Sequence, residues 1–178
     1  MTDASVLPVS LGLLWAAVAA GVDVWQHRIP NWLTYSGMAV GLAVQFALFG
    51  LKGLVSGLAG ALFAGGIFLV FFVAKAMGGG DVKLVTALGC FVGWPEMAQV
   101  LIATALAGGA LAIVYMVRHR RVKSTLRNVG VILRHHATAG MQQHPSVNLE
   151  NPQALRMPYG LAIAAGMAYW FTRVVFWR

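Results

Sequence analysis

The stretch AMGGGDVKLVTALG, residues 76–89, lies between two long apolar runs and sets three consecutive glycines beside an aspartate. The residues on either side decide what it means. Leu54–Ala76 and Val82–Trp94 both read as helices made for a hydrocarbon environment, so the glycines and the acid interrupt a membrane-embedded chain. Each glycine costs roughly 1 kcal/mol in a helix, and the run therefore predicts a helix break just before Asp81. Glycines there also let another backbone pass close by.

The whole sequence supports a membrane reading. Its 178 residues are 59% hydrophobic and 10% charged, where soluble domains are roughly 25% charged. Mean hydropathy is +0.74. This excludes a soluble domain with a single anchor. The expected fold is all-α, a polytopic bundle of about six transmembrane helices. They fall near Val6–Val22, Trp32–Phe49, Leu54–Ala76, Val82–Trp94, Met97–Val117 and Pro158–Phe176. No basic residue precedes Arg28, so the first apolar run lacks the charged start of a secretory signal and reads as a retained span. Small residues recur inside the spans, as at Gly57 and Gly60 and from Ala61 to Gly66. They predict close helix packing.

The net charge of +8 concentrates in one place: seven of the 13 Lys and Arg residues fall between Arg118 and Arg156. In a soluble protein this would suggest nucleic acid. Here it marks topology, because cytoplasmic loops are enriched in basic residues. The loop 118–157 is thus expected in the cytoplasm, with both termini on the other face and no nucleic-acid partner. Val122, Leu126, Val129 and Leu133 recur at helical spacing among Arg121, Lys123, Arg127 and Arg134. They predict an amphipathic helix in contact with anionic lipid headgroups, with a substrate-docking surface as the alternative. His135, His136 and His144 show no metal-ligand spacing. The single Cys90 supports no disulfide and reads as a small apolar helix residue.

Of the five acids, Asp3 lies in a tail, Glu150 in the polar loop, and Glu96 after Pro95 in the first turn of a helix. Asp23 and Asp81 differ. Both adjoin apolar spans, where a carboxylate costs up to about 2.5–3.5 kcal/mol on insertion scales. The topology puts both on the cytoplasmic side. Val82–Trp94 makes about 20 Å of helix at 1.5 Å per residue, against a hydrocarbon core of about 30 Å. Asp81 is therefore expected below the headgroups, in a water-filled notch. Two carboxylates facing one cavity resist double ionisation and share a proton. The ionised partner can activate a water and the protonated one can polarise a peptide carbonyl. That chemistry needs no metal or cofactor. Spacing alone leaves a second reading open, in which one aspartate caps a helix and the other pairs with a lysine.

The wording around the acids resembles a known family. GGGDVKL, residues 78–84, resembles the GxGD signature of intramembrane aspartyl proteases. DVWQHRIPN, residues 23–31, resembles the other half-site of the type IV prepilin peptidases, an aspartate followed by a basic residue and Ile-Pro-Asn. RMPYGLAIAAG, residues 156–166, resembles the proline-led start of that family's last helix. The resemblance implies a single membrane-embedded aspartyl peptidase domain over 1–178, in the bacterial inner membrane. Its site would face the cytoplasm and remove the basic leader of a prepilin-like membrane protein. Asp23 and Asp81 carry over as the catalytic pair, and Gly78 and Gly80 as the motif glycines. The bifunctional forms carry two cysteine pairs in an extra domain and also N-methylate their product. With only Cys90, this chain resembles the small, peptidase-only form of tight-adherence (Flp-like) pilus systems, without methyltransferase activity. Presenilin-like enzymes have Tyr-Asp at the first acid, whereas Val22 precedes Asp23 here.

Other proteases fit less well. HExxH is absent, and neither Ser36-Gly37 nor Ser56-Gly57 has the glycine of a rhomboid-type GxSG. Around the acids, Lys83 is expected to point away from Asp81 toward lipid phosphate, with charge tuning of the pair as the alternative. Arg28 holds the Asp23 loop or a headgroup, Pro30 suits the first turn of the second span, and Asn31 caps that helix or holds the loop. Two other functions compete. Paired intramembrane acids also mark proton- or cation-coupled transporters, although no internal repeat is evident. An inactive assembly scaffold is the third reading, and the intact aspartates speak against it.

Overall fold

Glycine and small-residue stripes determine how this bundle closes. The computed structural model describes residues 6–26, 28–74, 77–119, 130–131 and 157–177. The described residues form five long helices: α1 (Val6–Gln26), α2 (Asn31–Val73), α3 (Gly79–Val92), α4 (Glu96–Arg118) and α5 (Gly160–Phe176). Asp3, Glu150, the three loop histidines and nearly all of the expected amphipathic helix lie outside the described residues.

Among the described residues, three helices are long and apolar enough to cross a membrane: Val6–Gln26, Asn31–Val73 and Glu96–Arg118. The 43-residue α2 is not one rod. Gly50 breaks it with φ 62° and ψ −147°, a conformation open to glycine and strained for other residues. The chain folds back there, so that Gly53 lies against the Gln45 carbonyl and Gly57 against Leu42. The arms, 31–49 and 51–73, correspond to the second and third expected spans.

α3 is the centre. Leu84, Val85, Ala87, Leu88 and Phe91 have no exposed surface. Both arms of α2 embrace it. On the first arm, Gly41 abuts the Cys90 Cβ; on the second, Gly57 faces Cys90, Gly60 faces Gly89 and Gly65 faces Thr86. A Cβ at Gly89 would lie 2.6 Å from the Gly60 carbonyl, and one at Gly60 2.7 Å from the Gly89 carbonyl. Backbone meets backbone here, the close approach that small residues allow where lipid is the solvent. Cys90 is a buried free thiol and part of this packing. α1 packs across α3 through the Trp15 and Phe91 rings, 5.8 Å apart. α5 runs against α1 and α4, with Gly12 meeting Met167 and Gly166 meeting Thr104.

Two boundaries differ from the sequence reading. α1 does not end at Val22 but continues through Asp23 to Gln26. An acid lowers hydropathy without interrupting the backbone ladder, and its side chain finds a partner on another helix. α3 begins at Gly79, so the break precedes the last two glycines of the run, and Gly79 and Gly80 are helical. Contacts outweigh their low propensity: Gly79 packs on the Phe72 ring and Gly80 on Ile29. Glu96 is the first residue of α4, directly after Pro95.

Candidate active site

The two acids come from opposite ends of antiparallel helices and so meet at one end of the bundle. Asp23 is in the last turn of α1 and Asp81 in the first turn of α3. Asp23 is 7% exposed and Asp81 is half-buried. The two carboxyls interact electrostatically. They are 58 positions apart in sequence (81 − 23).

Each carboxyl also meets a helix N-terminus, where free N–H groups and the helix dipole favour negative charge. Asp81 sits in the first turn of its own helix, with its N–H bonded to the Gly78 carbonyl at 3.2 Å. The Gly78 backbone lies against its carboxyl, and a Cβ at Gly78 would be 3.3 Å from Oδ2. Asp23 is served by α5: the Gly160 N–H donates to its Oδ2 at 3.0 Å. Tyr159, one residue before, lies within electrostatic reach of Asp81.

The motif glycines have separate tasks. Gly78 leaves space for the Asp81 carboxyl. Gly80 leaves space for Ile29, whose Cβ would be 3.2 Å from a Cβ at position 80. Ile29 is 5% exposed, so the Arg28–Pro30 loop is fastened to the start of α3. A second fastener reinforces the first. Lys83 Nζ donates to Asn31 Oδ1 at 2.8 Å and lies 5.4 Å from the Tyr35 ring centroid. Lys83 thus bonds within the protein, because the start of α2 lies within its reach. Asn31 makes no side-chain cap; Pro30 occupies the N-cap of α2. Arg28 is exposed.

Tyr159 and Gly160 were not singled out by sequence reasoning, although the motif containing them was. Their partners lie far away in the chain, 137 positions for the Gly160–Asp23 bond, and no local pattern announces such a contact. The available signal was a glycine opening a helix after Pro158.

The fold thus brings two carboxylates to one end of an apolar helical bundle. The chain belongs to the type IV leader peptidase family, whose model matches residues 10–113. The match contains Asp23 and Asp81 and stops before α5. Two prepilin leader peptidase/N-methyltransferases of Burkholderia pseudomallei, from strains 1026b and K96243, are each 34% identical to it over 120 residues. Those matches cover 62% of this chain and 38% of the relatives, so the chain spans well under half the length of the curated relatives it matches. No solved structure matches it.

Proposed function

We propose that this protein is a prepilin leader peptidase with Asp23 and Asp81 as its catalytic pair. The observation that carries the reading is the meeting of the two acids at one end of the bundle, each beside a helix N-terminus. Close carboxylates cannot both ionise easily, so such a pair works by sharing one proton. The ionised carboxylate takes a proton from a water, whose oxygen attacks the scissile carbonyl carbon. The protonated carboxyl donates to the carbonyl oxygen. Collapse of the tetrahedral species breaks the C–N bond, and a proton passes to the leaving amine.

In this reading the chain makes six crossings of the bacterial inner membrane. α2 supplies two of them through its break at Gly50, and α3 and α5 supply the shorter ones. The acid pair faces the cytoplasm, as the basic loop 118–157 suggests. The substrate is a prepilin-like membrane protein of the Flp type with a basic leader, and the basic loop also meets anionic headgroups. The transporter reading gains no support: the acids sit at one end of the bundle rather than midway along it.

Leader cleavage of a co-expressed prepilin tests the proposal. Wild type cleaves, whereas Asp23→Asn and Asp81→Asn each accumulate in the membrane without cleaving. Full cleavage by either variant would refute the pair.

A further inference from the structure

Asp23 is oriented from outside its own helix. The Gly160 amide donates to Oδ2 at 3.0 Å, and a side chain at that point would be tight. A Cβ on residue 160 would lie 3.0 Å from Asp23 Oδ2, 3.2 Å from Asp23 Cβ and 3.2 Å from Ala20 Cα. The turn that presents this amide is itself anchored. Pro158 is buried. The Tyr159 ring fills a notch left by Gly108 of α4, where a Cβ would meet its Cε2 and Oη at 2.9 Å each. The ring also stands 6.2 Å from that of Phe68, on the second arm of α2. One dipeptide thus reaches both acids: Gly160 bonds Asp23, and Tyr159 lies within electrostatic reach of Asp81.

We propose that Tyr159 and Gly160 are positioning residues for the acid pair: the Tyr159 ring, seated in the Gly108 notch, fixes the Gly160 amide that orients Asp23 against Asp81. This rests on the peptidase reading above. It adds a dependence of catalysis on α4, which carries neither acid.

The test uses the full chain reconstituted with a prepilin, with kcat and KM measured separately for Gly160→Ala, Gly108→Ala and Gly109→Ala. Gly108 and Gly109 are neighbours on one helix, and alanine raises helix propensity at both. A Cβ at Gly109 meets nothing within 4 Å, so Gly109→Ala keeps kcat within about twofold of wild type. Gly108→Ala pushes on Tyr159 and lowers kcat about tenfold, with KM unchanged, since catalysis tolerates little misplacement. Gly160→Ala displaces the carboxyl itself and lowers kcat about a hundredfold. Where Gly160→Ala fails to insert, Gly108→Ala decides. Gly108→Ala behaving like Gly109→Ala, or a rise in KM at constant kcat, overturns the proposal. Failure of wild type to cleave overturns the peptidase reading as well. An active wild type, a dead Asp23→Asn and a normal Gly160→Ala overturn the positioning role alone.

Discussion

Gly89→Ala tests the centre of the bundle. A Cβ there would lie 2.6 Å from backbone atoms of Gly60 and Ala61, and ordinary contact begins at 3.4 Å. The helices must therefore separate by 3.4 − 2.6 = 0.8 Å, because backbone cannot rotate out of the way. A gap of 0.5–1 Å forfeits roughly a quarter to a half of each neighbouring van der Waals well, and overpacking of this kind costs about 1–3 kcal/mol. Alanine returns up to about 1 kcal/mol of helix propensity. The expected result is a net loss of about 1–2 kcal/mol, measured by unfolding in detergent micelles. Gly66→Ala is the control: it lies on the arm of α2 that carries Gly60 and Ala61, with nothing within 4 Å of its Cβ, and should be neutral or slightly stabilising. Because α3 carries Asp81, its displacement should also slow leader cleavage. A Gly89→Ala protein as stable and as active as wild type would refute the contact between α3 and the second arm of α2.

Three further outcomes are expected. Gly78 has φ −77° and ψ 147°, which alanine adopts freely, so Gly78→Ala should act only by crowding the Asp81 carboxyl, lowering cleavage about tenfold without loss of stability. Lys83→Met removes the bond to Asn31 and should cost about 1 kcal/mol in thermal unfolding, with a few-fold drop in cleavage; an unchanged variant would show that the clasp between α2 and α3 does not matter. Cys90 is 2% exposed, so maleimide treatment of the folded protein should leave both the thiol and leader cleavage intact, as mass spectrometry and the cleavage assay will report.

Much of this arrangement was readable from local pattern. The apolar runs located the helices, and the small residues of the second arm of α2 announced a close crossing that Gly60 and Gly89 make. Where local pattern stopped, long-range contact took over. Hydropathy ended the first span at Val22, yet the helix runs on, since Asp23 finds the Gly160 amide. Three glycines in a row suggested a break beside the acid, yet two of them join α3 because Phe72 and Ile29 cover them. The helical offset of Lys83 from Asp81 suggested lipid, and only the fold brings Asn31 within 2.8 Å of it. Asp23 and Asp81 stood out because acids are scarce in such a sequence. The groups that orient them did not, because a backbone amide has no signature of its own.

The central place of α3 has a consequence for how the protein is made. A helix of 14 residues reaches about 21 Å, short of the hydrocarbon thickness, and this one carries an acid in its first turn. It is a poor candidate to enter a bilayer alone. In chain order, however, α1 and both arms of α2 precede it, and these are the elements that enclose it. Synthesis from the N-terminus thus prepares a berth before the short helix emerges. The amide that bonds Asp23 comes from α5, the last described helix, so that hydrogen bond forms only when α5 docks, and a half-made chain carries both aspartates without it.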